Sequence, residues 1–154
     1  MTQSRKSGLL PYPQSLAGTL LAAREAVMAP LRVHLRAADV TEQQWRVLRV
    51  LGDNGSMDAR TIAEQALLYP PSVTRILREL GDRALITRAS DPNDARRTVI
   101  SITAQGRTLV METAQHTSAL LTAYADAFGA QRLDAFRQEA AALAACLDRF
   151  QPGD

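Results

Sequence analysis

The sequence predicts a mainly α chain with one small β-hairpin. Three observations carry this. From Ser15 to Arg83 apolar residues recur at helical spacing, punctuated by capping and turn residues. Between Leu85 and Ile102 the pattern changes to β-branched alternation around a charged loop. The last stretch carries Leu133, Phe136, Ala140, Leu143, Leu147 and Phe150 at steps of 3, 4, 3, 4 and 3. That seam suits a helix packing on another helix.

Taken in order, residues 1–14 read as a flexible tail, because Gly8, Pro11 and Pro13 oppose helix. A first helix is expected from Ser15 to about Ala38, with Leu16, Leu20, Val27, Leu31 and Leu35 on its apolar side. Pro30 removes one backbone bond and should kink that helix or split it. Thr41-Glu42-Gln43-Gln44 has capping-box spacing and starts a second helix, with Val47, Leu48 and Leu51 inward and Asp53-Asn54-Gly55 ending it. Asp58 caps a short third helix with Ile62, Ala63 and Ala66 inward. Pro70-Pro71 opens a fourth, to about Arg83, with Val73, Ile76, Leu77 and Leu80 on its core face. Leu85 to Arg88 and Thr98 to Ile102 read as two strands around a nine-residue loop from Ala89 to Arg97. Thr103 caps a fifth helix to about Phe128, Gly129 breaks it, and a sixth covers Gln131 to Phe150.

Composition bounds the function. An apolar fraction of 46% and a charged fraction of 22% in 154 residues describe a chain that buries a core, not a disordered segment. No apolar run approaches the roughly 18 residues of a membrane span, and the polar N-terminus lacks a signal-peptide core. Cys146 alone forms no internal disulfide and fits a reducing cytoplasm, so a cytoplasmic protein is expected. With two His and one Cys far apart, no metal site is expected. There is no Gly-rich phosphate loop and no Ser or Cys nucleophile signature, so no enzyme activity and no cofactor are expected. Nothing around Cys146 signals the depressed pKa of a redox sensor.

The net charge is only +2, but it is unevenly spread. Residues 1–38 carry five basic and one acidic residue, and residues 70–100 six Arg against four acids. Residues 104–154 carry four Arg against six acids. Of 18 basic residues 17 are Arg, a bias shared with the 26 Ala but also suited to phosphates and guanine edges.

Helix, helix, helix and hairpin in this order make a winged helix-turn-helix over 41–103. The helix of 15–40 and the helices of 104–154 flank it, as expected for dimerisation elements in one compact unit. A major groove accepts one helix, read by its N-terminal side chains. Ser72, Thr74, Arg75 and Arg78 are therefore the candidate groove contacts, although Arg75 and Glu79 are also spaced as an ordinary i,i+4 ion pair. In the wing, Arg96 or Arg97 is the candidate minor-groove contact. Asp94 repels phosphate and is expected to pair with an Arg and hold the loop.

Thr41-Glu42-Gln43-Gln44-Trp45-Arg46-Val47-Leu48, Pro71-Ser72-Val73-Thr74-Arg75-Ile76-Leu77, Leu85-Ile86-Thr87-Arg88, Asp94-Ala95-Arg96-Arg97 and Ile102-Thr103-Ala104-Gln105-Gly106 resemble the MarR family of transcription regulators. The resemblance spans about residues 15–150. It implies an obligate homodimer on double-stranded, pseudo-palindromic operator DNA, repression of a nearby operon, and release by a small, often aromatic and anionic, ligand. The family commonly has Asp-Arg-Arg in the wing, so the extra Arg97 leaves the minor-groove residue open. The family usually has Gly where Ala84 stands. Because Ala at positive φ is strained, that turn is expected to be built differently here.

An aromatic acid needs an aromatic face and a guanidinium. Arg24, on or beside the inward stripe of the first helix, and Trp45 and Arg49, at i,i+4 on the second, are the candidate effector residues, with His34 a further one. Each also has a structural alternative: Arg49 can pair with Asp53, Trp45 can be core, and Arg24 can bridge a dimer. Two other functions compete with an aromatic-acid-released repressor. One is a related regulator of stress, efflux or redox response with a different effector or none. The other is a winged-helix adaptor that binds protein.

Overall fold

The computed structural model describes residues 9–94 and 96–150. A 3-10 turn at Tyr12–Gln14 precedes α1 (Leu16–Ala37), α2 (Glu42–Asn54), α3 (Ala59–Gln65) and α4 (Pro70–Asp82). Strands β1 (Ile86–Ser90) and β2 (Thr98–Ile102) follow, then α5 (Ala104–Phe128), α6 (Ala130–Leu147) and a 3-10 turn at Asp148–Phe150. Two compact units result, Met1–Ala114 and Gln115–Asp154.

The core of the first unit gathers one face from each element of the winged helix. Val47, Leu48 and Leu51 of α2 meet Ile62 and Ala63 of α3, Val73, Ile76, Leu77 and Leu80 of α4, and Ile86, Ile100 and Ile102 of the hairpin. All of the inward residues predicted for α2, α3 and α4 are buried. Burying each such Leu or Ile contributes roughly 1.5–3 kcal/mol, so this cluster dominates the stability of the unit.

Local chemistry starts the helices where the sequence predicts. Thr41 accepts from the Gln44 N–H at 3.1 Å while Gln44 Oε1 accepts from the Thr41 N–H at 3.0 Å, a complete capping box. Asp58 Oδ1 accepts from the Thr61 N–H at 2.8 Å. Thr103 Oγ1 accepts from the Gly106 N–H at 3.0 Å. Gly106 is needed for space: a Cβ there would strike the Leu85 carbonyl and the Ile102 side chain.

Three helices end alike. After α1, α3 and α4 the backbone turns left-handed at Asp39 (φ 53°), Leu67 (φ 52°) and Ala84 (φ 53°). The next residue then donates five residues back: Val40 to Leu35, Leu68 to Ala63 and Leu85 to Leu80, at 2.9–3.0 Å. These are Schellman closures, and each residue that follows the turn is buried, as the motif's apolar contact requires. Contrary to the expectation from the sequence, the α4 turn is not built differently at Ala84. Ala84 adopts the strained conformation, and burial of Leu80 and Leu85 offsets the cost.

Other boundaries also shift. The structured chain begins before Ser15, because Ser15 Oγ donates to the Tyr12 carbonyl at 2.7 Å and caps α1 at the Gly18 N–H. The remaining predicted tail, residues 1–8, lies outside the described residues. Pro30 does not split α1, which runs unbroken from Leu16 to Ala37 with Leu31 and Leu35 buried just beyond the proline. The hairpin loop is shorter than nine residues, because Ala89 pairs with Val99 and Ser90 with Thr98. The wing also gains a one-residue third strand: Met57 and Ile100 exchange both backbone bonds, at 3.1 and 2.9 Å. The last helix stops at Leu147, and Phe150 falls in the 3-10 turn.

In the second unit, Gly129 at φ 97° separates α5 from α6. No residue of α6 is buried, and Phe136 and Leu147 of its seam lie exposed. The apolar side of α1 is likewise open at Leu16, Leu20, Leu21, Val27 and Val33.

Glycine at position 84 removes the left-handed penalty but adds disorder to the unfolded chain. Ala84→Gly is expected to stabilise the protein by about 1 kcal/mol, raising Tm by about 2–4 °C. Urea and thermal unfolding check this. An unchanged or lowered Tm would mean that the strain at Ala84 does not exceed the entropic cost of the glycine.

Candidate functional site

The fourth helix is divided sharply along its length. Val73, Ile76, Leu77 and Leu80 are buried, whereas Thr74, Arg75 and Arg78 are exposed and Ser72 is half-buried. Arg75 Nη1 reaches Glu79 Oε1 at 3.2 Å, so the i,i+4 pair allowed by the sequence is present. Pro70 and Pro71 fill the first two helical positions, where their missing N–H groups are not needed. The turn before α4 is held from outside: Arg46 Nη1 donates to the Ala66 and Leu67 carbonyls, each at 3.0 Å. Burial, reinforced by Arg24, pushes the Arg46 pKa down, and its Nε is buried without a partner among the described residues.

The wing loop is built from its own acids. Asp91 Oδ1 accepts from the Asn93 N–H at 2.8 Å, and the Asp91 N–H donates to the Arg97 carbonyl at 2.8 Å. Asp94 Oδ1 accepts from the Arg96 N–H at 3.0 Å. Asp94 thus shapes the loop, but through a backbone N–H rather than the Arg side chain the sequence suggests. The two candidate arginines differ in setting. Arg97 Nη2 is bound to Asp58 Oδ2 at 2.6 Å, while the Arg96 side chain is exposed. Asp58 is held down to about 2, mainly by the Thr61 N–H and then by Arg97, and Arg97 is raised in return by Asp58.

The four candidate effector residues all lie on α1 and α2. Trp45 is 5% exposed, and the Arg49 guanidinium carbon stands 5.7 Å from its ring centroid. Arg49 also reaches Asp53 Oδ2 at 3.2 Å. Arg24 is half-exposed rather than on the inward stripe, and joins Glu25 at 2.9 Å and Glu42. Arg32 completes this cluster, reaching Glu25 at 2.7 Å and Glu42 at 3.0 Å. Glu25 is lowered chiefly by its hydrogen bond from Arg32. His34 is half-buried near the end of α1. The structure therefore brings Trp45 and Arg49 together and ties Arg24 to the first residue of α2. An open pocket of about 530 Å³ lies elsewhere, lined by Arg36, Thr41, Gln44, Glu79 and Arg83 among others.

Among the described residues no helix is long and apolar enough to cross a membrane, and no group of three His, Cys, Asp or Glu could hold a metal ion. Cys146 is exposed.

The MarR family model matches residues 40–98, which hold α2, α3, α4 and the wing loop. The HTH-type transcriptional regulator FarR of Neisseria gonorrhoeae is 35% identical over 114 residues, 74% of this chain and 78% of that protein. The chain belongs to the MarR family. The homoprotocatechuate degradative operon repressor of Escherichia coli is 40% identical over 95 residues, 62% of this chain and 64% of the repressor's length. The solved structure of NadR in complex with 4-hydroxyphenylacetate is similar over 94% of this chain and 97% of its own, at 33% identity and a TM-score of 0.76. As a MarR-type protein this chain is a DNA-binding transcriptional regulator, and such regulators are not enzymes.

Sequence reasoning missed the Asp58–Arg97 pair, the Arg46 clamp and the Arg32–Glu25–Glu42 contacts. Asp58 and Arg97 stand 39 positions apart, and the Met57–Ile100 bridge beside them brings the two segments together. Arg32 falls seven residues after Glu25 on α1, a helical spacing that could have signalled that pair.

Because the folded Asp58 titrates below its ordinary 3.8, its contribution is present above that pH and is lost as pH falls toward about 2. In Asp58→Asn the cap survives but this acid-dependent loss should disappear from urea-unfolding curves between pH 4 and 2. Asp58→Ala should cost about 1 kcal/mol more at neutral pH through loss of the cap. Identical acid slopes for wild type and Asp58→Asn would contradict the assignment.

Proposed function

We propose that this regulator is a homodimeric repressor that binds a pseudo-palindromic operator and leaves it when a small aromatic acid binds. The single observation that carries the DNA reading is the division of α4 into a buried apolar face and exposed Thr74, Arg75 and Arg78. In this reading Arg75 and Arg78, with Ser72 and Thr74, meet major-groove base edges and phosphates. Arg96 enters the minor groove, a role favoured for it because Asp58 holds Arg97. Residues 15–40 and 104–154 supply dimerisation, which would cover the exposed apolar side chains of α1 and α6. Two-fold pairing suits half-sites about 34–36 Å apart.

The effector reading rests on Trp45 with Arg49, with Arg24 and His34 as further candidates. It is supported by relatives: one is named as repressor of a homoprotocatechuate degradative operon, and another was solved with 4-hydroxyphenylacetate. For an aromatic carboxylate to use this pair, the indole, buried in this form, has to be uncovered and the Arg49 guanidinium released from Asp53. To release DNA it must bind the DNA-incompetent form more tightly, and couplings of this kind are about 1–3 kcal/mol, or 5–150-fold in affinity.

Two measurements test the proposal. Arg75→Ala should cost roughly 1–3 kcal/mol on the operator and less on random sequence. Equal loss on both would remove base reading, and loss on neither would remove Arg75 from the interface. Calorimetry with 4-hydroxyphenylacetate and 3,4-dihydroxyphenylacetate should show binding to wild type and weakened binding to Arg49→Ala and Arg24→Ala. Undiminished binding to both variants would place the effector elsewhere, and no binding of either acid to wild type would overturn the aromatic-acid reading.

A further inference from the structure

The exposed side of α4 is tied to the start of α2 by a hydrogen-bond chain that DNA reading does not itself require. The Thr41 N–H donates to Gln44 Oε1 at 3.0 Å. Gln44 Nε2 donates to Glu79 Oε2 at 2.9 Å, and Glu79 Oε1 accepts from Arg75 Nη1 at 3.2 Å. Gln44 is only 7% exposed, so it has little freedom to turn. Its oxygen is committed to the capping box, which obliges its amide nitrogen to face Glu79. That in turn leaves the other Glu79 oxygen for Arg75. The order runs from a helix start, through a buried amide, to a candidate base reader.

An acid on a DNA-facing helix repels phosphate and weakens general affinity. What it gives in return is a fixed fork. An unrestrained Arg finds phosphates regardless of sequence, whereas guanine recognition needs its guanidinium held in place. We infer that Glu79, anchored by Gln44, is a positioning residue that holds Arg75 for base edges and away from phosphates, and so sets operator selectivity. The inference rests on the proposed role of Arg75.

Glu79→Gln keeps the volume and an acceptor for Gln44 but removes the charge. The probes are a duplex selected by the wild-type protein from a random library and a shuffled duplex of the same composition, each titrated over a salt series. In Glu79→Gln the selected-to-shuffled affinity ratio should fall. On shuffled DNA the log–log salt slope should steepen by about 0.9, the value of one further phosphate contact. That steepening should vanish when Arg75→Ala is added. Gln44→Leu cuts the other end of the chain while keeping the Glu79 charge, and should also lower the ratio, with thermal melts confirming that it folds. A Glu79→Gln protein with wild-type ratio and slope, or a steepening that survives Arg75→Ala, would overturn the inference. If Arg75→Ala loses selectivity and Glu79→Gln does not, the positioning role alone falls. If Arg75→Ala loses none, the base-reading proposal falls and takes this role with it.

Discussion

Asp58 divides one carboxylate between two parts of the chain that are 39 residues apart. One oxygen starts α3 and the other holds Arg97 at the end of the wing loop, just before β2. Beside it, Met57 exchanges both backbone bonds with Ile100. The hairpin is therefore joined to the helical part by a charged contact and a backbone contact at adjacent residues. A two-stranded hairpin is marginal by itself. Here it gains a core face, Ile86, Ile100 and Ile102, and an outer tie at Asp58. The position of the wing loop relative to α4 follows from that junction.

The same economy governs the arginines. Arg97 is occupied by Asp58, Arg75 by Glu79, Arg49 by Asp53, and Arg24 and Arg32 by Glu25 and Glu42. Exposed pairs of this kind contribute little to stability, typically 0–1 kcal/mol. Their effect is to orient the guanidinium groups. A regulator rich in Arg would otherwise adhere to any DNA through phosphates. In the proposed reading, acid partners lower that background and leave selectivity to the geometry of α4 and the wing.

Helix starts, core faces and the hairpin were legible in the sequence because each is local. Thr41 with Gln44 and Asp58 with Thr61 need only their own turn. Periodicity alone places Val47, Leu51, Ile76 and Leu80 inward. Helix ends were harder. The left-handed residues Asp39, Leu67 and Ala84 carry no common residue type, and their shared closure depends on the apolar residue that follows each. The candidate groove residues on α4 were legible from the helical period, since whatever is not buried is presented outward. The distinction between Arg96 and Arg97 was not, because it rests on a contact to Asp58 across the Met57–Ile100 bridge, between residues far apart in sequence. Nor was the environment of Arg24, whose partner Glu42 is supplied by the packing of α1 against α2.

The central claim is that α4 reads the major groove while Arg96 lies in the minor groove. Methylation interference on an operator duplex tests it directly, since guanine N7 lies in the major groove and adenine N3 in the minor groove. The account predicts N7 interference in two half-sites about one helical turn apart, with flanking N3 interference that disappears in Arg96→Ala. Interference confined to one half-site, or N3 interference that persists without Arg96, would contradict it.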